Sequence, residues 1–137
     1  MARNIRTGRA LRSKGFTLLE LMIVLTIIAI LVTMAIPMYQ AMILSSKEAV
    51  LKNNLSEMRK AIDAYTADKK KAPQTLQDLV DGGYFRQIPQ DPIMKNSEWD
   101  VKIASTVASP DQTDTGIVDV HSFAPGTSTE GTPYNTW

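Results

Sequence analysis

The spacing of apolar residues changes along the chain. From Phe16 to Ile36 they are almost continuous, FTLLELMIVLTIIAILVTMAI, 21 residues with Glu20 as the single charge. At 1.5 Å rise per residue a helix of this run is about 31 Å long, enough to cross the hydrocarbon core of a bilayer. A buried core helix of that size needs apolar partners that a chain this short lacks, so the pattern predicts a membrane span or the core of a helical assembly. Beyond Pro37 the spacing becomes helical. Leu51, Leu55, Met58, Ile62 and Tyr65 recur at steps of four, three, four and three, which makes one apolar stripe. Lys47, Lys52, Asn53, Glu57, Arg59, Lys60 and Asp63 fall largely elsewhere. The stripe predicts the face of a long helix that docks on a globular head.

Asp68-Lys69-Lys70-Lys71-Ala72-Pro73 closes that helix, with cations at its negative end and a breaker behind them. The lysine triplet reads as a solvated helix end ahead of an anionic-lipid contact. Thr75-Leu76-Gln77-Asp78 resembles a capping box, with Asp in place of Glu or Gln. A short helix follows on Leu76, Leu79 and Val80, and Gly82-Gly83 ends it. The segment Tyr84 to Pro92 leads out through two prolines as an extended or turn stretch. Trp99 to Ala104 and Ile117 to His121 alternate apolar and polar residues and predict two strands, with a turn-rich stretch between them. A third strand is expected at most in the terminal segment, where Gly126 to Asn135 is rich in Ser, Thr and Gly. The fold class is therefore α+β: a long N-terminal helix, one short helix and a two- to three-stranded antiparallel sheet.

Charge sharpens the reading of the N-terminus. The whole chain of 137 residues carries a formal charge of +1, yet Arg3, Arg6, Arg9, Arg12 and Lys14 precede Phe16 with no acidic residue among them. Without those five cations the body stands at about −4, which gives nucleic acid no basic surface to bind. A basic stretch before an apolar run suits a secretory signal. However, the run is longer than an ordinary signal core, and no Ala-x-Ala site follows it. The small residue lies in front of the run, as Gly15, so a cut there keeps the helix. The leader cations predict a cytoplasmic N-terminus and a body on the far side of the membrane.

Two residues of the apolar run carry chemistry. An ionisable group inside an apolar span costs several kcal/mol unless it is paired, so Glu20 is a functional candidate. The helix macrodipole favours a negative charge in its first turns. A cut after Gly15 also creates an α-amino group at Phe16, and that amine on a neighbouring copy is a partner for the carboxylate. The alternative is an interfacial Glu reaching water. Pro37 removes a backbone donor and is expected to kink or loosen the helix.

Lys14-Gly15-Phe16-Thr17-Leu18-Leu19-Glu20, the apolar run and Pro37 together resemble the class III signal of type IV pilins and type II secretion pseudopilins. The resemblance implies that a prepilin peptidase cuts between Gly15 and Phe16 and that Phe16 is then methylated. It also implies that Glu20 and Pro37, at the family's distances from the cut, act in assembly. Ala61 to Tyr65, the Pro73 turn, Leu76 to Leu79, Gly83-Tyr84-Phe85, Ile88 to Pro92 and Asp119 to Ser122 resemble the major, G-type pseudopilins. The implied organisation is a leader at 1–15, a transmembrane or filament-core helix at 16–37, its amphipathic continuation at 38–71 and an α+β head at 72–137. The implied partners are the peptidase, other copies of the chain, other pseudopilins and the inner-membrane secretion platform. The implied location is the bacterial inner membrane, with the head periplasmic in a pseudopilus.

The resemblance further implies calcium in the C-terminal loop, held by two acidic side chains and backbone carbonyls. This sequence departs from that pattern, since Phe123-Ala124-Pro125-Gly126 follows Ser122 with no carboxylate. Ser122 and Glu130 are the remaining candidate ligands. Asp111 and Asp114 lie in a polar loop without EF-hand spacing, and turn chemistry accounts for them. With no Cys, one His and no HExxH, GxSxG or phosphate loop, catalysis finds no support, and His121 reads as a packing residue. Two other readings remain: a type IV pilin, although such pilins commonly close a loop with a disulfide, and a single-span membrane enzyme or sensor.

Overall fold

The computed structural model describes residues 15–106 and 114–137. The leader cations, and Asp111 with its two neighbours, lie outside the described residues. The chain divides between Tyr39 and Gln40 into two compact units. Helix α1, Leu18–Lys69, is 52 residues long, or about 78 Å at 1.5 Å per residue. Ile27, Ile28 and Val32 have modest helix propensity in water, but in an apolar medium the backbone can satisfy its polar groups only internally, and a helix does so. The expected loosening at Pro37 does not break α1, which continues through that residue. Proline has no N–H, so the Thr33 carbonyl loses its usual donor one turn back. At the other end the helix stops before the predicted breaker. Lys70 takes a positive φ of 56° while its N–H still reaches Thr66 O at 3.0 Å.

Helix α2, Gln77–Asp81, is shorter than its pattern suggested. The Asp78 carboxylate reaches back to accept the Gln74 and Thr75 N–H groups at 2.8 and 3.0 Å. Those bonds, led by that of Thr75, hold the carboxyl below its usual value despite burial. The helix closes on a Schellman motif: Gly83 N–H bonds Val80 O at 3.0 Å and Tyr84 N–H bonds Leu79 O at 2.9 Å. Gly83 sits at φ +80°, where a side chain would be strained.

Strands β1, Asp100–Ile103, and β2, Ile117–His121, pair antiparallel, with a bulge after Lys102 that leaves Val118 without a partner residue. No third strand occurs among the described residues. The terminal segment instead forms an isolated bridge between Thr127 and Pro133 and a 3-10 turn at Tyr134–Thr136. The register of β2 is also set from outside the sheet. Ile117 N–H bonds Pro73 O at 2.8 Å, and a Cβ on Gly116 would lie only 2.5 Å from that same oxygen.

All five stripe residues of α1 are buried, with Leu51, Leu55, Met58 and Ile62 at 2% exposure or less. They pack with Leu79, Trp99, Ile117, Val120, Ala124 and Tyr134 into one core. The sheet is thus positioned by an apolar helix face, as the periodicity predicted.

Candidate functional site

The first part of α1 exposes its apolar side chains. Gly15 is exposed, Phe16 is 85% exposed, and so are the large apolar side chains from Leu18 to Met42. By length and composition α1 is long and apolar enough to cross a membrane. Thr17 starts it, because its Oγ1 accepts the Glu20 N–H at 3.1 Å. Thr17-Leu18-Leu19-Glu20 thus has the spelling of a capping box, with a hydroxyl three residues ahead of a carboxylate. This local role for the pair was missed in the sequence, where the composition of the run drew attention from its first turn. Thr26 and Thr33 donate their hydroxyls to Met22 O and Ala29 O at 2.7 and 2.8 Å, so neither brings an unmatched polar group into the apolar run. Glu20 is the one carboxylate in that run, and it stands exposed.

The head holds its polar residues in three clusters. In the first, Arg59 of α1 donates from Nε to Asp119 Oδ1 at 2.6 Å and from Nη2 to Val120 O at 2.9 Å, which ties the helix to β2. Burial pushes the Asp119 carboxyl up, but the Arg59 and Val120 donors outweigh it and hold the group below its usual value. His121 is largely buried beside it, with Nε2 3.3 Å from Asp119 Oδ2 and Nδ1 without a hydrogen-bond partner.

The second cluster is centred on Asp91, which is fully buried. Its Oδ1 accepts the Ile93 and Met94 N–H groups at 2.7 and 3.1 Å, and its Oδ2 accepts the Ser122 hydroxyl. The Ser122 oxygen in turn accepts the Ala124 N–H at 2.9 Å. Asp91 therefore locks the 91–96 turn to the exit of β2. Its signal in the sequence was an Asp between two prolines, which reads only as a turn. Asp91→Ala strands two amides and a hydroxyl and is expected to lower the unfolding free energy by about 2–3 kcal/mol, against about 1 for Ser122→Ala, read by urea titration in detergent.

The third cluster joins α1 to the closing segment. Glu48 is buried, accepting Thr129 N–H at 2.8 Å, Tyr134 O–H at 2.7 Å and the Thr129 hydroxyl. Lys52, one turn on, pairs with Glu130 at 2.7 Å and lies 4.4 Å from the centre of the Trp137 ring. Glu48 was also missed, although it falls three residues before Leu51, on the apolar stripe itself. A carboxylate at a stripe position is the available signal.

The two candidate calcium ligands therefore serve separate clusters. Ser122 is engaged with Asp91 and Glu130 with Lys52, and no group of three or more Asp, Glu, His or Cys side chains suited to a metal occurs among the described residues. Calcium takes six to eight oxygens, usually with several carboxylates. Ser122 and Glu130 each have another partner, and the side chains present fit that ion poorly.

An exposed apolar helix that opens on a Gly–Phe junction and an early glutamate defines a prepilin-type protein. The prokaryotic N-terminal methylation motif indeed matches residues 11–36. The chain is 32% identical over 97 residues to the type II secretion system core protein G of Klebsiella pneumoniae, covering 59% of this chain and 69% of that one. It is 28% identical over 134 residues to the core protein G of Dickeya chrysanthemi, covering 83% of this chain and 78% of that one. The chain belongs to the family of the type II secretion system core protein G. It is also 42% identical over 76 residues to the type IV major fimbrial protein FimA of Dichelobacter nodosus, covering 52% of this chain. It spans about half of that relative's length, 49%. No solved structure matches the chain.

Proposed function

We propose that the chain is a structural subunit of a type II secretion pseudopilus that polymerises through its N-terminal helix and helps drive protein export across the outer membrane. A prepilin peptidase removes residues 1–15, and the new Phe16 amine is methylated. Residues 16–37 then pass from the inner membrane into the filament core, with 38–71 as their continuation and the 72–137 head outside. The observation that carries this reading is the methylation motif lying on a helix whose apolar side chains are exposed along its whole first part. Such a surface is unstable in water and needs either lipid or other copies of itself to cover it. The leader cations support an N-terminus in the cytoplasm and a periplasmic head. Other pseudopilins and the inner-membrane platform are the expected partners.

Intact-mass and N-terminal analysis of protein from its native membrane tests the first step. The expected product starts at Phe16 and carries one methyl group; an intact leader in assembled filaments overturns the reading. The similarity to a fimbrial protein favours one second reading, a type IV pilin of a surface fibre for adhesion or motility. Deleting the gene separates the two: loss of secretion with normal twitching supports the pseudopilus, and the reverse supports the surface fibre.

A further inference from the structure

We propose that residues 126–137 are held on α1 by a metal-independent clasp made of Glu48 and Lys52 on the helix and Thr129, Glu130, Tyr134 and Trp137 on the segment. Glu48 and Lys52 are four residues apart and so share a helix face. Each takes hold of the segment at two residues. Glu48 binds Thr129 through both the backbone amide and the hydroxyl, and Tyr134 through its phenol, at the distances given above. Lys52 binds the Glu130 carboxylate and faces the Trp137 ring. The segment is folded on itself to present these groups together. Ser128 N–H bonds Thr132 O at 2.8 Å, Trp137 Nε1 bonds Thr132 Oγ1 at 2.7 Å, and the Tyr134 and Trp137 rings meet edge to face at 5.2 Å.

A cation fits this arrangement poorly. An ionised carboxylate offers about four lone-pair positions, and three donors already occupy Glu48. A metal there would find about one lone-pair position open, would compete with an amide and two hydroxyls, and would meet the charge of Lys52. Glu130, the acid that the loop itself supplies, is neutralised by Lys52. The side chains thus perform the closure that the resemblance would give to calcium.

The groups facing Glu48 set the pH range of the clasp. Burial pushes its carboxyl up, but the Thr129 and Tyr134 donors and the Lys52 charge outweigh that and hold it below 4.5. A carboxyl lowered by folding stabilises fully above its unfolded value and loses that contribution as pH falls through the folded one. Tyr134 is pushed up to about 12 by burial and by its bond to Glu48, so its hydroxyl remains a donor through the alkaline range. Its own contribution is complete below the ordinary value of 10.0 and is lost as pH rises through about 12.

Hydrogen exchange on the full chain in detergent micelles tests the clasp, and its outcome does not depend on whether filaments form. Amides at 128–134 should be equally protected with millimolar calcium and with chelator. Glu48→Ala is expected to speed exchange at 128–134 about tenfold or more, leaving β1 and β2 unchanged, while Glu57→Ala, at an exposed ion pair, leaves both unchanged. Should Glu48→Ala expose the strands as well, Thr129→Val decides. Selective loosening of the segment supports the clasp, and unchanged exchange overturns it. Protection that disappears on chelation and returns with calcium also overturns it.

Discussion

Glu20→Ala is expected to leave the chain inserted in the membrane and cut after Gly15, while filaments fall by an order of magnitude or more. An unpaired carboxylate in an apolar environment costs several kcal/mol, which favours a place where a cation meets it. The one cation that processing creates in this region is the α-amino group of Phe16, and a neighbouring copy can deliver it. Removing the carboxylate makes the helix more apolar, so insertion is kept, and on the proposed pairing it removes the attraction between copies. The local cap works through the backbone N–H of residue 20 and the Thr17 hydroxyl, so alanine keeps the helix start. Membrane fractionation, mass analysis of the mature N-terminus and electron microscopy of sheared filaments read the three steps separately. Normal filaments from Glu20→Ala would sink the pairing. Glu20→Asp, which keeps the charge on a shorter arm, is expected to restore part of the assembly.

The other large effect belongs to the head. Leu55 is 1% exposed at the middle of the apolar stripe. Truncation to alanine removes buried methyl groups and leaves a cavity, at a cost of about 2–5 kcal/mol. For a small domain that is a large share of a total stability of roughly 5–15 kcal/mol. The unfolding midpoint of Leu55→Ala is expected to fall steeply, while Val50→Ala, at a side chain 49% exposed on the same helix, should scarcely move it. Equal midpoints for the two variants would mean that α1 is not the wall of the core.

Both predictions start from features that were legible in the sequence, and for physical reasons. An apolar run of membrane length and a stripe at steps of three and four depend on local periodicity, which one chain displays without its fold. The junction at Gly15 and Phe16 was equally plain, because charge, small residue and apolar run stand side by side. The strands at 100–103 and 117–121 were visible for the same reason, but their bulge and the grip of Pro73 O on β2 were not, since these arise between segments far apart in the chain. The polar clusters were the hardest to see. Asp91 finds Ser122 and Glu48 finds Thr129 and Tyr134 across long loops, and nothing in the spacing announces such pairs. Ser122 and Glu130 became candidate oxygen donors through the resemblance, and the fold gives each a partner of its own.

The placement of the two tryptophans has a practical consequence. Trp99 is 6% exposed in the core, with its indole N–H on Pro89 O at 3.0 Å, whereas Trp137 stacks near a lysine at the closing segment. Their fluorescence therefore originates in two unlike surroundings within one small head. With Trp137→Phe and Trp99→Phe, either emitter can be silenced in turn. The protein thus carries its own pair of optical reporters, one for the interior and one for the flap that closes on it, and neither requires a dye.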